Sequence, residues 1–100
     1  MSREGPYRYL IAYDIGDDRR RARIAQRLQA YGTRIQFSVF IVDVKPARIV
    51  RLRRSLAQLL VAQADSLLIC ELGPLPQAVG RRMEFLGVQP DLLGRDSIII

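Results

Sequence analysis

Between Tyr7 and Tyr13 aromatic and aliphatic side chains fill nearly every position, a run that favours extended backbone until Gly16-Asp17-Asp18 breaks it. The period then changes. Ile24, Leu28 and Tyr31 fall on one helical face, Asp18 suits the N-cap, and Gly32 fits the position just past a helix end. A strand, a turn and a helix are therefore predicted over 7–31. From 34 to 44 the chain is strand-like throughout, with Ile35, Phe37, Val39 and Ile41 on one face and Gln36, Ser38, Phe40 and Val42 on the other. The pattern leaves open one long bent strand or two short ones divided by a bulge near Ser38.

Pro46 suits the first turn of a helix, and Ile49, Leu52, Leu56, Leu59 and Leu60 form an apolar stripe running to about Ala64. Asp65-Ser66 opens a short strand over 67–72, which Gly73-Pro74-Leu75-Pro76 ends. Residues 77–86 fit a short helix, 87–94 a loop, and Ser97-Ile98-Ile99-Ile100 a β-branched tail that needs burial. The order predicts one α+β domain over 1–100, a ferredoxin-like βαββαβ sandwich with an extra strand at 97–100. Strand one is apolar on both faces, Tyr9, Ile11 and Tyr13 on one and Leu10 and Ala12 on the other, yet the helices suffice for one face only. A second copy of the chain is the simplest cover for the other, and a homodimer also suits a core this small.

Charge narrows the partners. The 16 Lys and Arg outnumber the 10 Asp and Glu to give a net charge of +6, and Lys45 is the only lysine. Arginine presents a planar fork of donors that fits phosphate oxygens, so the balance points to nucleic acid. The competing reading is codon bias, which also favours Arg over Lys. The absence of histidine excludes paired-histidine ribonuclease chemistry, and Cys70, the only cysteine, reads as a core residue inside an apolar run. No apolar signal region or membrane-spanning run is seen, so a cytoplasmic protein without a membrane partner is expected.

Carboxylates are the remaining candidates for chemistry. Asp14 ends an apolar strand just before a turn into an arginine-rich helix, where carboxylate, metal and helix N-terminus can meet one phosphate. Asp43 also ends a strand, but Val44-Lys45-Pro46 follows it with no anion-binding turn. Magnesium (or manganese) is held by one or two carboxylates plus waters and phosphates, and a two-fold axis would bring two copies of Asp14 together. The same position equally suits a carboxylate that caps the turn or pairs with Arg19 or Arg20. On the helix, Arg19, Arg20, Arg23 and Arg27 share one side, with Arg21 at the edge of the apolar face. Such a cluster without acidic relief calls for an anionic partner, although a solvated helix face is the alternative. Gln36 and Ser38 suit either phosphate contacts or an interface.

Tyr13-Asp14-Ile15, Arg20-Arg21, Tyr31-Gly32 and Arg34-Ile35-Gln36-Phe37-Ser38-Val39-Phe40 together resemble the CRISPR-associated protein 2 family. The likeness is concentrated between Tyr9 and Val44; past Asp65 it rests on the order of elements. It implies a ferredoxin-like homodimer that acts as a metal-dependent endonuclease on RNA or DNA and bridges integrase subunits during spacer acquisition. It further implies that Asp14 binds magnesium from each protomer, and that Arg21, Arg23 and Arg34 assist nucleic-acid binding or catalysis. Tyr13 and Phe40 would shape the site, and strand 97–100 would pair with the partner's sheet.

Two rivals keep the fold and change the activity: a non-catalytic adaptor that holds duplex DNA between integrase copies, and an RNA-cleaving toxin. A single-strand RNA-recognition domain fits less well, because its sheet needs its own run of exposed aromatics.

Overall fold

A computed structural model of the chain describes residues 5–75, 77–80 and 83–88. The elements run β1 (Tyr7–Asp14), α1 (Asp18–Gln29), β2 (Gly32–Gln36), β3 (Val39–Val44), α2 (Pro46–Leu59), β4 (Ser66–Pro74) and α3 (Gln77–Gly80). The four strands form one antiparallel sheet in the order β2-β3-β1-β4. The expected ferredoxin-like α+β arrangement is therefore present. The tail at 97–100 lies outside the described residues.

One face of the sheet carries the core. Tyr9, Ile11 and Tyr13 of β1 and Phe40, Val42 and Val44 of β3 meet Ile24 and Leu28 of α1 and Ile49, Leu52 and Leu56 of α2. The period of two on the strands and the i, i+3, i+4 spacing on the helices aim all of these at one layer. Leu67 and Ile69 of β4 pack against its edge.

Several boundaries differ from the sequence reading, each for a local reason. The N-cap of α1 is Asp17, not Asp18: the Asp17 carboxylate accepts the Arg20 backbone N–H at 2.8 Å, leaving Asp18 as the first helical residue. Helix α1 ends at Gln29, so Gly32 is no helix cap and instead opens β2. It is glycine because β2 and β3 approach closely there: a Cβ would collide with the Ile41 carbonyl oxygen and lie 2.9 Å from Val42 Cγ2. The stretch 34–44 is two strands, reversed through Phe37-Ser38, with Gln36 opposite Val39 and an irregular register at Ile35.

Helix α2 stops at Leu59 rather than near Ala64. Residues 61–65 close a turn in which the Asp65 N–H donates to the Val61 carbonyl (2.8 Å) and the Asp65 carboxylate accepts the Val61 N–H (2.9 Å). That side chain competes with the helix for the same backbone groups. Strand β4 runs on to Pro74 because a register shift beside Gly73, whose φ is +127°, absorbs the residue that would otherwise end the pairing. The expected helix over 77–86 is shorter, with α3 ending at Gly80. Residues 83–88 are not helical; Met83 and Phe85 line a groove of ≈ 410 Å³ with Leu10, Ile35 and Val39, on the face away from α1 and α2.

This segment gives the second face partial cover from the chain itself. Further along that face Leu68 and Cys70 are exposed. Cys70 is thus not a core residue: strand alternation sends Leu67 and Ile69 to the core and Cys70 to the other side. Among the described residues no helix is long and apolar enough to cross a membrane.

Candidate nucleic-acid and metal site

Asp14 ends β1 opposite Ser66, the first residue of β4. Its neighbour Tyr13 is buried, and strand alternation places the exposed Asp14 with Leu10 and Ala12 on the face away from the helices. The end of the strand is pinned: the Tyr13 N–H donates to the Ser38 carbonyl at 3.1 Å, tying the β2–β3 turn beside Asp14. Neither structural role open to Asp14 in the sequence is filled by it. Asp17 caps α1, Arg20 is engaged by Asp65, and the Asp14 carboxylate has no hydrogen bond or ion pair with any described residue.

The arginines of α1 divide into two sets. Arg20 donates from Nε to Asp65 Oδ2 (2.8 Å) and from Nη2 to Asp65 Oδ1 (3.0 Å), so its fork is already occupied. Arg21 donates to the Ile15 carbonyl (3.0 Å), to the Gly16 carbonyl (3.4 Å) and to Asp18 Oδ1 (2.6 Å), bracing the loop that leaves Asp14. Both therefore have the acidic relief that the sequence reading did not anticipate. Arg19, Arg23 and Arg27 do not: they are exposed and ion-paired to no described residue. Arg23 and Arg27 line a groove of ≈ 280 Å³ with Gln26, Ala30 and Leu59.

At the same end of the sheet as Asp14, aromatic rings and guanidinium groups alternate. Tyr13 and Phe40 stack with centroids 6.4 Å apart, and Phe40 is fully buried. The Arg34 guanidinium lies 5.2 Å from the Phe40 centroid and 5.7 Å from that of Phe37, and Arg21 approaches Phe37 from 5.8 Å. Phe40, stacked on Tyr13, thus forms a floor beneath Arg34. Gln36 is exposed at the end of β2, while Ser38 is half-buried and uses its carbonyl to hold Tyr13.

Phe37, 71% exposed, is the residue that sequence reasoning passed over. Within an alternating stretch it reads as one more strand position, on the same face as Ile35, Val39 and Ile41. The signal that would have marked it is Ser38, which interrupts the apolar pattern where the hairpin turns.

A metal site needs donors of the right kind and number. The Asp14 carboxylate is a hard oxygen donor with no competing cation among the described residues, which fits magnesium. The number falls short within one chain, since no group of three or more His, Cys, Asp or Glu is gathered among the described residues. Water and phosphate are donors of the kind that would complete such a site.

Comparison with known proteins places this geometry in a family. Residues 7–74 match the family model described as CRISPR associated protein Cas2. A CRISPR-associated endoribonuclease Cas2 of Rhodospirillum rubrum is 47% identical over 62 residues, covering 62% of the chain; the match spans only 50% of that relative's length. A CRISPR-associated endonuclease Cas2 of Thermus thermophilus is 39% identical over 82 residues, 82% of this chain and 83% of that one. Among solved structures, a hypothetical protein from Thermus thermophilus superposes with a TM-score of 0.74 at 38% identity, over 86% of this chain and 96% of the other. A chain of a partial Cas6-RT-Cas1–Cas2 complex gives a TM-score of 0.59 at 27% identity, over 78% of this chain and 89% of its own length. With the family model matched along the whole β1–β4 unit, and with an exposed strand-end carboxylate and a flanking arginine surface, the chain belongs to the Cas2 family of CRISPR-associated proteins.

Proposed function

We propose that this protein works as a homodimer in CRISPR spacer acquisition, cutting RNA or DNA at a site built around two copies of Asp14. The observation that carries the reading is the state of Asp14: an exposed carboxylate on a pinned strand end, excused from capping by Asp17 and from pairing by the Arg20–Asp65 contact. The Asp14 carboxylate, ion-paired to no described residue, would take magnesium or manganese as its counter-ion, with the second Asp14 supplying a further oxygen ligand. Bound there, the metal would lower the pKa of a water and make it a nucleophile towards a phosphodiester.

The chain's own residues do the rest. Arg19, Arg23 and Arg27 offer uncommitted forks to the phosphate backbone. Arg34 stands ready to meet negative charge developing on a phosphate, and Arg21 fixes the loop that aims Asp14. The names of the relatives, endoribonuclease and endonuclease, support a nuclease reading. The Cas1–Cas2 assembly supports an integrase subunit as partner.

The test is cleavage of RNA and DNA by the purified protein with Mg²⁺ and with EDTA, beside Asp14→Ala. Loss of metal-dependent cutting in the variant is expected; a variant that cuts as well as the parent would place the chemistry elsewhere. A second reading, a non-catalytic adaptor, is favoured by the lack, among the described residues, of any group of three or more His, Cys, Asp or Glu. It predicts that Asp14→Ala loses no spacer acquisition.

A further inference from the structure

Phe37 has no structural task that accounts for it. It is 71% exposed at the turn between β2 and β3, and an aromatic ring in water is an unfavourable way to fill a turn. Its stem is nevertheless rigid. Gln36 and Val39 pair across the turn, and the Tyr13 N–H holds the Ser38 carbonyl at 3.1 Å. Two guanidinium groups approach the ring, Arg34 at 5.7 Å and Arg21 at 5.8 Å from its centroid. Arg21 is itself anchored to the loop carbonyls and Asp18, whereas Arg34 is ion-paired to no described residue.

We propose that Phe37 is a stacking platform for an unpaired nucleic-acid base, with Arg34 receiving the adjoining phosphate and the anchored Arg21 steadying the ring. A flat, exposed apolar ring beside an unpaired cation matches a nucleotide strand, which joins planar bases through anions; a duplex hides its base faces and would use only the cation. The site therefore adds a preference for single-stranded segments. It rests on the nucleic-acid reading above, but not on hydrolysis or metal.

The test compares the full-length protein with Phe37→Ala and Phe37→Trp, using a 12-nucleotide single strand carrying one 2-aminopurine and a blunt duplex of similar length. Phe37→Ala should bind the single strand about tenfold more weakly, lose the stacking-dependent quenching of 2-aminopurine and leave duplex affinity unchanged. Phe37→Trp should keep both binding and quenching. Equal single-strand affinity and quenching in Phe37→Ala would overturn the proposal. So would a Phe37→Ala protein that runs at half the parent's mass and loses both ligands alike, since Phe37 would then be a contact between copies. A parent protein that binds neither ligand would remove the nucleic-acid reading itself, and this site with it.

Discussion

Arg20 grips Asp65 with both prongs of its guanidinium, 2.8 Å and 3.0 Å, and so ties the first turn of α1 to the residue that precedes β4. The Asp65 side chain has no exposed surface, and Ser66 beside it pairs with Asp14. The contact with Arg20, then the bond from the Val61 N–H, hold the Asp65 carboxyl below its ordinary 3.8. A carboxylate whose folded pKa is depressed stabilises the fold above its unfolded value, and that contribution is lost as pH falls through 3.8 towards the folded value. Thermal melts from pH 7 to pH 3 should therefore show a steeper loss below about pH 4 in the parent than in Asp65→Asn. Parallel curves would remove Asp65 from the acid response.

Capping of α1 distinguishes two adjacent aspartates. Asp17→Ala should cost about 1 kcal/mol, because it removes the acceptor of the Arg20 N–H. Asp18→Ala should cost less, since Asp18 lies inside the helix and its carboxylate, 91% exposed, only pairs with Arg21. Urea unfolding of the two variants would read the difference, and equal losses would contradict the assignment.

How far the sequence carried this structure depends on whether a residue's role was periodic or positional. The core of α1 and α2 and the order of strands follow from spacing alone, and Ile24, Leu28, Leu52 and Leu56 are all fully buried as their pattern implies. Asp14 was also legible, as a strand-end carboxylate before an arginine helix. What spacing does not encode is which of several like charges finds which partner. Arg20 and Asp65 are 45 positions apart, so their pairing, and with it the removal of Arg20 from the free arginines, depends on the fold. Phe37 was illegible for a related reason: its alternation agrees with a strand, and only the hairpin turn exposes it.

The turn into β2 should tolerate no side chain at position 32. Gly32→Ala places a methyl against the Ile41 carbonyl, a backbone atom that cannot swing aside, and should destabilise the protein by about 2 kcal/mol. Gly16→Ala, where a Cβ meets nothing within 4 Å, is the control. Chemical denaturation that finds the two alike would mean β2 and β3 lie further apart than described.

Nucleic-acid affinity should separate the two sets of arginines by salt dependence. Arg19→Ala, Arg23→Ala and Arg27→Ala combined should flatten the plot of log affinity against log salt by about 0.9 for each arginine that meets a duplex phosphate. Arg20→Ala should leave that slope unchanged and lower the melting temperature, because its fork serves Asp65. An unchanged slope in the triple variant would show that the exposed face of α1 is merely solvated.

A metal site completed by a second copy of the chain would make each Asp14 half the holder of one ion. Titrating Mn²⁺ into the parent and Asp14→Asn proteins, with free ion counted by its EPR signal, reads that stoichiometry. One ion bound for every two chains, lost in the variant, is the result expected. Binding of one ion per chain, or an Asp14→Asn protein that takes up manganese as the parent does, would contradict it.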